Sequence, residues 1–419
     1  MRSASVGRIL TNNRVRVKAR ILVLSHSYIM RSYRRKFTLI GDLTAKYPEV
    51  QIRIITPSQW IENFQQLTFT PTPDNHCQEF SLPIYFSGYG SRFVYRRGLT
   101  THFRDFQPDI IHLEEEAWSL NALQTLQLRR WFCPHSKLIF RTSLSVEIKQ
   151  RFGFLPRWIE RRIFRETDLA FPLSLNAVQI LARRGYKGRS IVFPNGVDLR
   201  LFQPMIGNSV VMNLKKSLSL MNNFVIGYVG RFLYMKGVDL LFKAAKIFAE
   251  QACVPEQMSY PRTSVTSFKI LLLGNGEYRT ELEKLALELG IEKQLVWVEA
   301  VLPEAVPEYI NCMDVLVLPS RTMPDWVEFF GRVLIEAMAC RVPVIGSNSG
   351  EIANVIGEAG LIFSEEDPQA LAQHLLTIYR DQSVRHDLIE RGAKHVHDFA
   401  WETIAEKTLA AYADLLVEA

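Results

Sequence analysis

The chain has few cysteines and no long apolar run, and both absences limit what it can be. Five cysteines are spread over 419 residues without a Cys-x-x-Cys pair, which argues against a disulfide framework or a structural zinc site. No segment approaches the roughly 18 to 20 consecutive apolar residues of a membrane-spanning helix. The first residues also lack the apolar core of a secretory signal. We therefore expect a cytoplasmic protein.

Acidic residues are scarce in the first half of the chain. Residues 1–200 contain 31 Lys and Arg against 15 Asp and Glu, a net charge of +16, whereas residues 201–419 carry 19 against 28, a net charge of −9. Residues 1–15 precede the first acidic residue, Asp42, and are interpreted as a flexible basic tail, with an organelle transit peptide as the alternative. A basic half indicates an acidic ligand, an anionic membrane surface or nucleic acid.

Short apolar runs alternate with longer amphipathic segments in both halves, which is the pattern of parallel sheets covered by helices. Apolar residues make up 47% of the chain, so each half can bury a core. We predict an α/β protein with two tandem Rossmann-like domains facing across a cleft. The domains are expected at 16–204 and 224–399, with a polar linker at 205–223 and a closing helix at 400–419.

The apolar runs predict eleven strands, and a segment rich in Pro, Ser and Thr, Gln251–Ser267, is predicted to be a surface insertion. Ligands bind beyond the carboxyl ends of parallel strands, so the turns that follow the strands are the candidate sites. The predicted strands are Ile21–Ser25, Gln51–Thr56, Asp109–Leu113, Lys137–Arg141, Leu169–Pro172, Ser190–Pro194, Phe224–Val229, Phe268–Leu273, Leu295–Glu299, Val315–Leu318 and Val342–Ile345.

Two of these turns in the second half are suited to an anion. Arg231 and Lys236 follow the strand Phe224–Val229 and stand where a phosphate would bind. A departing diphosphate needs fixed cations where no metal supplies charge, and the chain has no Asp-x-Asp triplet to ligate one. Gly274 follows the next strand and lets backbone approach a ligand. The structural alternatives are two exposed charges on a loop and a tight turn.

The third turn places two carboxylates around the start of a helix. Glu328 precedes a helix that is predicted to begin near Gly331, and Glu336 lies within it. The amino end of a helix offers unpaired N–H groups to a phosphate. One carboxylate can then contact a donor sugar and the other a ribose. The alternative is an ion pair between Arg332 and Glu336, with Glu328 merely exposed.

These residues carry a family resemblance. In order and spacing they resemble the retaining glycosyltransferases of family four, which have the GT-B fold, and the likeness runs from Phe224 to Arg391. It continues in the first half through Pro108–Glu116 and Pro194–Asp198. The residues that carry it are Arg231 with Lys236, the pair Glu328-x7-Glu336, and Ser349-Gly350-Glu351.

The resemblance implies a role for each matching position. Arg231 and Lys236 would bind the diphosphate, Glu328 the hydroxyls of the donor sugar, and Glu336 the ribose. It also implies retention at the anomeric carbon, with the leaving phosphate taking the proton, so that neither a dedicated base nor a metal nor a further cofactor is needed. The backbone that would complete the pocket belongs to Phe330, Gly331, Arg332 and Val333.

The first half departs from the family pattern. Many relatives have a glycine-rich turn after the first strand and a histidine after the strand that corresponds to Lys137–Arg141. Here His26 follows the first strand and Arg141 ends the other. Arg141 could contact sugar or phosphate as a permanent cation, and His26 could contribute or be structural. Of the acidic run Glu114–Glu116, Glu115 is our preferred contact to acceptor hydroxyls, with a solvated acidic turn as the alternative.

Arg151–Arg165 contains five arginines interspersed with aromatic residues. A helix starting at Pro156 would place Arg157, Arg161 and Arg165 on one stripe and turn Trp158 and its apolar neighbours to another. Such a helix could lie against anionic lipid headgroups at the inner face of the membrane. It could equally pack on its own domain with an exposed basic face.

The sequence thus predicts transfer of a sugar from a nucleoside diphosphate donor to a saccharide or lipid-linked acceptor. A nucleotide-sugar epimerase or hydrolase of the same fold is the first rival, and product analysis without acceptor distinguishes it. A nucleic-acid-binding protein is the second, although no helix-turn-helix, zinc finger or aromatic RNA motif is recognised. A scaffold that has lost catalysis, suggested by Arg141, is the third.

Overall fold

The computed structural model describes residues 19–45, 47, 49–62, 65–73, 76–144, 146, 153–252 and 267–417. The basic tail predicted at 1–15 and most of the insertion predicted at Gln251–Ser267 lie outside these residues. The chain divides into two compact units, residues 1–196 with 401–419, and residues 197–400. No helix in the described ranges is both long enough and apolar enough to span a bilayer.

Eleven strands are described in the first unit. The seven-stranded sheet among them is entirely parallel, and its central strands are almost fully buried, because helices cover both faces of such a sheet. The strands are β1 (Ala19–Leu24), β2 (Val50–Pro57), β3 (Gln59–Glu62), β4 (Gln65–Thr68), β5 (Gln78–Leu82), β6 (Ile84–Tyr85), β7 (Val94–Tyr95), β8 (Ile110–Leu113), β9 (Lys137–Thr142), β10 (Leu169–Pro172) and β11 (Arg189–Ser190).

The sheet order of the first unit is β11-β10-β9-β8-β1-β2-β5, while β3 pairs with β4 and β6 with β7 in antiparallel hairpins. Serine caps start two of its helices, since Ser119 and Ser174 each accept a hydrogen bond from the backbone N–H three residues on. The α-helices are Arg35–Thr44, Leu99–Arg104, Leu120–Phe132, Phe154–Glu166, Leu175–Arg183 and Trp401–Val417, and short 3-10 helices occupy Ser27–Ile29 and Arg31–Arg34.

The second unit contains a six-stranded parallel sheet. Its strands are β12 (Phe224–Val229), β13 (Phe268–Leu273), β14 (Leu295–Val298), β15 (Val315–Leu318), β16 (Val344–Ser347) and β17 (Leu361–Phe363), in the order β14-β13-β12-β15-β16-β17. The α-helices are Ser209–Ser217, Val238–Ala252, Arg279–Leu289, Val306–Ile310, Arg332–Ala339, Ile352–Ile356, Pro368–Arg380 and Gln382–His395, with 3-10 helices at Tyr234–Lys236, Glu292–Gln294 and Val396–Phe399.

The two Rossmann-like halves predicted from the sequence are confirmed. The main difference is at 205–223, where a linker was expected. This segment groups with the second unit and contains the helix Ser209–Ser217, which Asn208 caps through a hydrogen bond from the Val210 N–H. The polar composition that suggested a linker is that of a surface helix, because only Val211 of this helix is buried.

Strand order reverses once in each sheet. In the second unit the reversal falls between β12 and β15, and in the first unit it falls between β1 and β8. At such a point the loops after two neighbouring strands diverge to opposite faces and leave a crevice beyond the carboxyl ends. The residues that follow β12, β15, β1 and β8 therefore define the two candidate sites.

The helix Trp401–Val417 returns to the first unit and packs against the helix Arg35–Thr44. Its residue Leu409 is buried in one core with Phe37 and Ile52, so this helix completes the covering of the first sheet. The closing helix predicted at 400–419 is thus an integral part of the first unit.

We expect Leu409→Ala to lower the free energy of unfolding of the first unit by about 2–5 kcal/mol, because it leaves a cavity in a closed core. Val417→Ala on the same helix is the matched control, since that side chain is exposed, and it should change stability by less than about 0.5 kcal/mol. Urea unfolding of both variants measures the difference. Equal stability of the two variants would contradict the role given to this helix.

Candidate functional site

The strongest feature of the second unit is a buried ion pair across its switch point. The Lys236 Nζ, in the loop after β12, lies 2.6 Å from the Glu328 Oε2, in the loop after β15. The Ser320 hydroxyl donates a second hydrogen bond to the same oxygen at 2.8 Å. Glu328 is only 7% exposed, so it is not the solvated partner of a surface ion pair. Two residues from different predicted turns thus meet in one site.

An aromatic ring backs the lysine. The Lys236 Nζ lies over the Trp326 ring, 4.8 Å from its centroid, which adds an attraction to the ring face. Ser320 and Trp326 were not singled out from the sequence. Their positions carried a signal, because Ser320 stands two residues after the end of the buried strand β15 and Trp326 stands two residues before Glu328.

Arg231 and Gly274 occupy the neighbouring loops after β12 and β13. Arg231 is exposed. Burial raises the pKa of the nearby Tyr228 hydroxyl, and the charge of Arg231 offsets part of that rise. Gly274 has φ 148°, and a Cβ on it would lie 1.9 Å from the Gly230 oxygen. Only glycine permits this contact, so Gly274 joins the two loops backbone to backbone.

The helix predicted near Gly331 begins at Arg332 and runs to Ala339, as expected. Gly331 has φ 77° and precedes it without a side-chain cap, so the first-turn N–H groups of Arg332 and Val333 point out of the helix end. A Cβ on Gly331 would lie 2.7 Å from the Leu318 side chain. Phe330 is buried and packs edge-on against Phe399.

Glu336 lies one turn into this helix and is half-buried. Burial raises its pKa, and the charge of Arg332 lowers it in part. Glu336 and Glu328 therefore lie in different environments. The carboxylate of Glu328 is bound by Lys236 and Ser320, whereas the main influence on the pKa of Glu336 is burial. The structure places Glu336 on the helix that Glu328 precedes, and its predicted contact with a ribose stays a prediction.

Within the described residues, no group of three His, Cys, Asp or Glu side chains is arranged to hold a metal ion.

In the first unit the switch point joins His26 to Glu115. The His26 Nδ1 lies 2.8 Å from both carboxylate oxygens of Glu115, and the His26 backbone N–H donates to the Glu115 Oε1 at 2.6 Å. His26 follows β1 and Glu115 follows β8, and the imidazole packs against Trp60 and Phe93. Two residues that the sequence proposed separately form one hydrogen-bonded pair.

Arg141 belongs to a second group centred on Glu114. Arg141 lies 3.4 Å from the Glu114 Oε2 and donates to the Asn195 Oδ1 at 3.0 Å, while Lys36 pairs with the other oxygen of Glu114. Lys36 and Arg141 lower the pKa of Glu114 against the opposing effect of its burial, which is larger than either single interaction. The alternative prediction for Glu114–Glu116, a solvated acidic turn, is wrong. Glu114 and Glu115 have the partners just described, and Glu116 accepts hydrogen bonds from the Thr142 hydroxyl and the Ser143 N–H.

Arg157, Arg161 and Arg165 are exposed on one stripe, as predicted. The apolar side divides differently from the prediction. Ile159 and Ile163 are buried in the core of the first unit, whereas Trp158 is partly exposed, because the helix Phe154–Glu166 packs on its own unit. Arg151, where this segment was predicted to begin, lies outside the described residues.

Comparisons with known proteins agree with this geometry. The family model described as "Glycosyl transferases group 1" matches residues 212–395, and "Glycosyltransferase Family 4" matches residues 48–201. The two models together take in most of both units. The chain belongs to glycosyltransferase family four.

Two curated relatives of this glycosyltransferase are instructive. The D-inositol 3-phosphate glycosyltransferase of Corynebacterium urealyticum is 28% identical over 73% of this chain and 72% of its own length. The capsular polysaccharide biosynthesis glycosyltransferase CapM of Staphylococcus aureus is 30% identical over 54% of each chain. Several further relatives are likewise matched over about half of their length.

A solved structure supports the fold of the glycosyltransferase over most of the chain. Anabaena HepE, in complex with UDP and glucose, superposes with a TM-score of 0.65 over 94% of this chain and 100% of its own, at 18% identity. At this identity the likeness shows the fold, which is GT-B. The predicted fold class is confirmed.

The burial of His112, which lies beside Glu114, makes the stability of the first unit depend on pH. His112 is fully buried, and its Nδ1 lies 2.5 Å from the Tyr412 hydroxyl. Burial is the largest influence on its pKa, which falls from 6.5 to about 3, with Lys36 and Arg141 adding to the lowering and Glu114 opposing it. As the pH falls below 6.5, His112 is protonated in the unfolded state but stays neutral in the folded state. Protonation therefore stabilises the unfolded state, and the free energy of unfolding decreases.

We expect His112 to remove about 2 kcal/mol of stability between about pH 7 and pH 5, with full stability above the unfolded pKa. Urea unfolding of the glycosyltransferase at both pH values measures the loss. His112→Gln should flatten the dependence, and His386→Gln, at an exposed position, should leave it as in the unmodified chain. Equal pH dependence in all three proteins would contradict a neutral buried His112.

Proposed function

We propose that this glycosyltransferase moves a sugar, with retention and without a metal ion or further cofactor, from a nucleoside diphosphate sugar to a saccharide or lipid-linked acceptor. The observation that carries the proposal is the pair of Lys236 and Glu328 across the switch point of the second unit. It brings a fixed cation and a buried carboxylate together where sheets of this class bind ligands.

The donor chemistry follows from the two charges. Arg231 and Lys236 lie in one loop and supply positive charge to the two phosphates, and the open end of the helix Arg332–Ala339 adds its N–H groups. Glu328 accepts hydrogen bonds from hydroxyls of the donor sugar. Glu336, one turn into the helix, accepts from the ribose.

The names of similar proteins support this donor and acceptor class. HepE is solved with UDP and glucose, and CapM is named for capsular polysaccharide biosynthesis. We infer a nucleoside diphosphate donor here, and an acceptor that belongs to polysaccharide or glycoconjugate synthesis.

The proposed reaction needs little from the protein beyond charge and position. The bond from the anomeric carbon to the phosphate oxygen breaks, and the acceptor oxygen forms a bond to the same face of that carbon. The acceptor proton passes to the departing phosphate oxygen. Lys236 and Arg231 stabilise the charge that develops on the diphosphate, which is the role of a pre-positioned cation.

We expect Lys236→Ala and Glu328→Gln each to lower kcat/KM at least about a hundredfold, since each removes a charge aimed at the reacting groups. The assay screens nucleotide sugars with chelator present and reads the anomeric configuration of the product by NMR. We expect the unmodified chain to stay active in the presence of chelator and to give a product with the anomeric configuration of the donor sugar.

Lys243→Ala and Glu283→Gln are the matched controls, because both side chains are exposed on helices of the same unit and each forms an i,i+4 ion pair. Both controls should keep full activity. Near-normal turnover in Lys236→Ala and Glu328→Gln would refute the site. Release of free sugar without acceptor would instead favour a hydrolase, and release of an isomerised nucleotide sugar would favour an epimerase.

We further propose that the first unit contacts an anionic membrane from the cytoplasmic side through the helix Phe154–Glu166. Phe154, at its start, is 85% exposed, and Leu155 and Trp158 are exposed beside it. Arg161 and Arg165 continue the exposed stripe along the same helix. Apolar side chains at one end and cations along one face suit the boundary between headgroups and acyl chains.

We expect Phe154→Ser with Leu155→Ser to weaken binding to vesicles of phosphatidylglycerol and phosphatidylcholine at least about tenfold, since two apolar side chains lose their burial. Sedimentation with vesicles measures binding. Leu175→Ser is the control, because that exposed leucine lies at the start of another helix of the unit. Equal sedimentation of all variants would contradict this membrane contact.

A further inference from the structure

The hairpin formed by β6 and β7, residues 83–98, is named here the aromatic hairpin. It is fixed to the first unit at several points. Phe93 and Tyr95 are buried, and the Tyr95 hydroxyl donates to the Ile55 oxygen at 3.2 Å. The Ser87 hydroxyl accepts from the Ile61 N–H at 3.0 Å, and the Ser91 oxygen accepts from the Leu120 N–H. The shape of its tip is therefore set by the fold.

Three aromatic rings on this hairpin face outward. Tyr85 is 52% exposed, Phe86 63% and Tyr89 60%. Exposing three large rings within five residues of an anchored loop contributes nothing to the core, which holds the hairpin through Phe93 and Tyr95 instead. Exposed aromatic rings grouped in this way, with Tyr85 and Phe86 in contact, are typical of a binding surface.

Arginines accompany the rings. The Arg96 guanidinium lies 4.8 Å from the centroid of the Tyr85 ring, and that of Arg92 lies 5.8 Å from the Tyr89 centroid. The whole hairpin contains three arginines and no acidic residue. Its occupant is therefore anionic as well as suited to flat apolar faces.

The aromatic hairpin adjoins the switch point of the first unit. A Cβ on Gly90 would lie 3.5 Å from the His26 Cε1 and 3.6 Å from its Nε2, so the residue after Tyr89 lies against the imidazole. The Nδ1 of His26 lies 2.8 Å from the Glu115 carboxylate, which holds the imidazole in place. A hydrogen-bonding group thus borders the aromatic surface.

We propose that the aromatic hairpin binds the acceptor, and that this acceptor is a saccharide carrying a negative charge close to its terminal rings. Sugar rings present C–H faces that pack on Tyr85, Phe86 and Tyr89, while arginine binds a carboxylate or phosphate through paired N–H groups. His26 and its partner Glu115 border the inner end of this surface. The inference rests on the proposed function, because it names the acceptor class of that reaction.

Binding to the full chain without donor tests the inference. The probes are cellobiose, cellobiose 1-phosphate and a glucuronyl-glucose disaccharide, titrated by calorimetry, so that the phosphate and the carboxylate sources are distinguished. We expect at least one charged probe to bind at least about tenfold more tightly than cellobiose, the gain of one good charge-assisted contact.

Two variants separate the contributions. Phe86→Ala with Tyr89→Ala should weaken the charged probe about tenfold or more, because stacking on each ring is lost. Arg92→Gln with Arg96→Gln should abolish the preference for charge and leave cellobiose binding unchanged. Trp131→Ala is the matched control, since Trp131 is an exposed aromatic residue elsewhere on the first unit. Thermal melting confirms that each variant is folded.

A parallel titration with UDP-glucose and other nucleotide sugars keeps the two proposals distinguishable. The hairpin variants should keep the donor affinity of the unmodified chain. Donor binding that fails in the unmodified chain would count against the proposed function and leave the saccharide result standing. Three outcomes overturn the inference: no probe binds up to millimolar concentration, the charged probes bind no better than cellobiose, or the hairpin variants lose binding to anionic vesicles while their saccharide affinity is unchanged.

Discussion

The pairing of Glu328 with Lys236 is the interaction on which the candidate site of the second unit depends. A carboxylate that is nearly removed from water is costly unless a cation and hydrogen bonds compensate it, and Lys236 and Ser320 do so from two different loops. The backbone carbonyl of Glu328 also accepts a hydrogen bond from the Glu351 N–H at 3.0 Å, which ties a third loop to the same residue. The loops after β12, β15 and β16 are therefore joined at Glu328, the first two through its carboxylate and the third through its backbone.

The first unit repeats the arrangement with different chemistry. His26 follows β1 and Glu115 follows β8, as Lys236 and Glu328 follow the two strands at the other reversal. A lysine is a permanent cation at neutral pH, whereas histidine changes charge near that pH and can donate or accept. The second unit thus presents a lysine suited to the phosphates of the proposed donor, and the first unit presents an imidazole and carboxylate suited to the hydroxyls of the proposed acceptor. This division is consistent with the proposed reaction, which joins an anionic donor to a sugar hydroxyl.

The parallel core was predictable because its strands are short apolar runs. β12, β13 and β15 begin and end where the sequence predicts, whereas β5 and β17 were missed, since β5 is a polar edge strand and β17 has three residues. The sequence predicted that Lys236 and Glu328 lie in one site, and the two form an ion pair, but the partners of Glu114 and Glu115 were not predicted. Three consecutive glutamates cannot be told apart in the sequence. Their partners are known only once the chain is folded, when Lys36 pairs with Glu114 and His26 with Glu115.

The positive charge of the first half is used in two physically distinct ways. Some of it is buried, as in Arg34 beside Glu79 and Arg184 in a two-fold contact with Glu160. Each such pair contains one basic and one acidic residue, so these pairs do not explain why the first half has more basic than acidic residues. The excess instead lies partly on surfaces, and on the aromatic hairpin and the helix Phe154–Glu166 it is accompanied by exposed rings. Charge alone would attract any polyanion, whereas rings beside charge select ligands with both an apolar face and an anionic group.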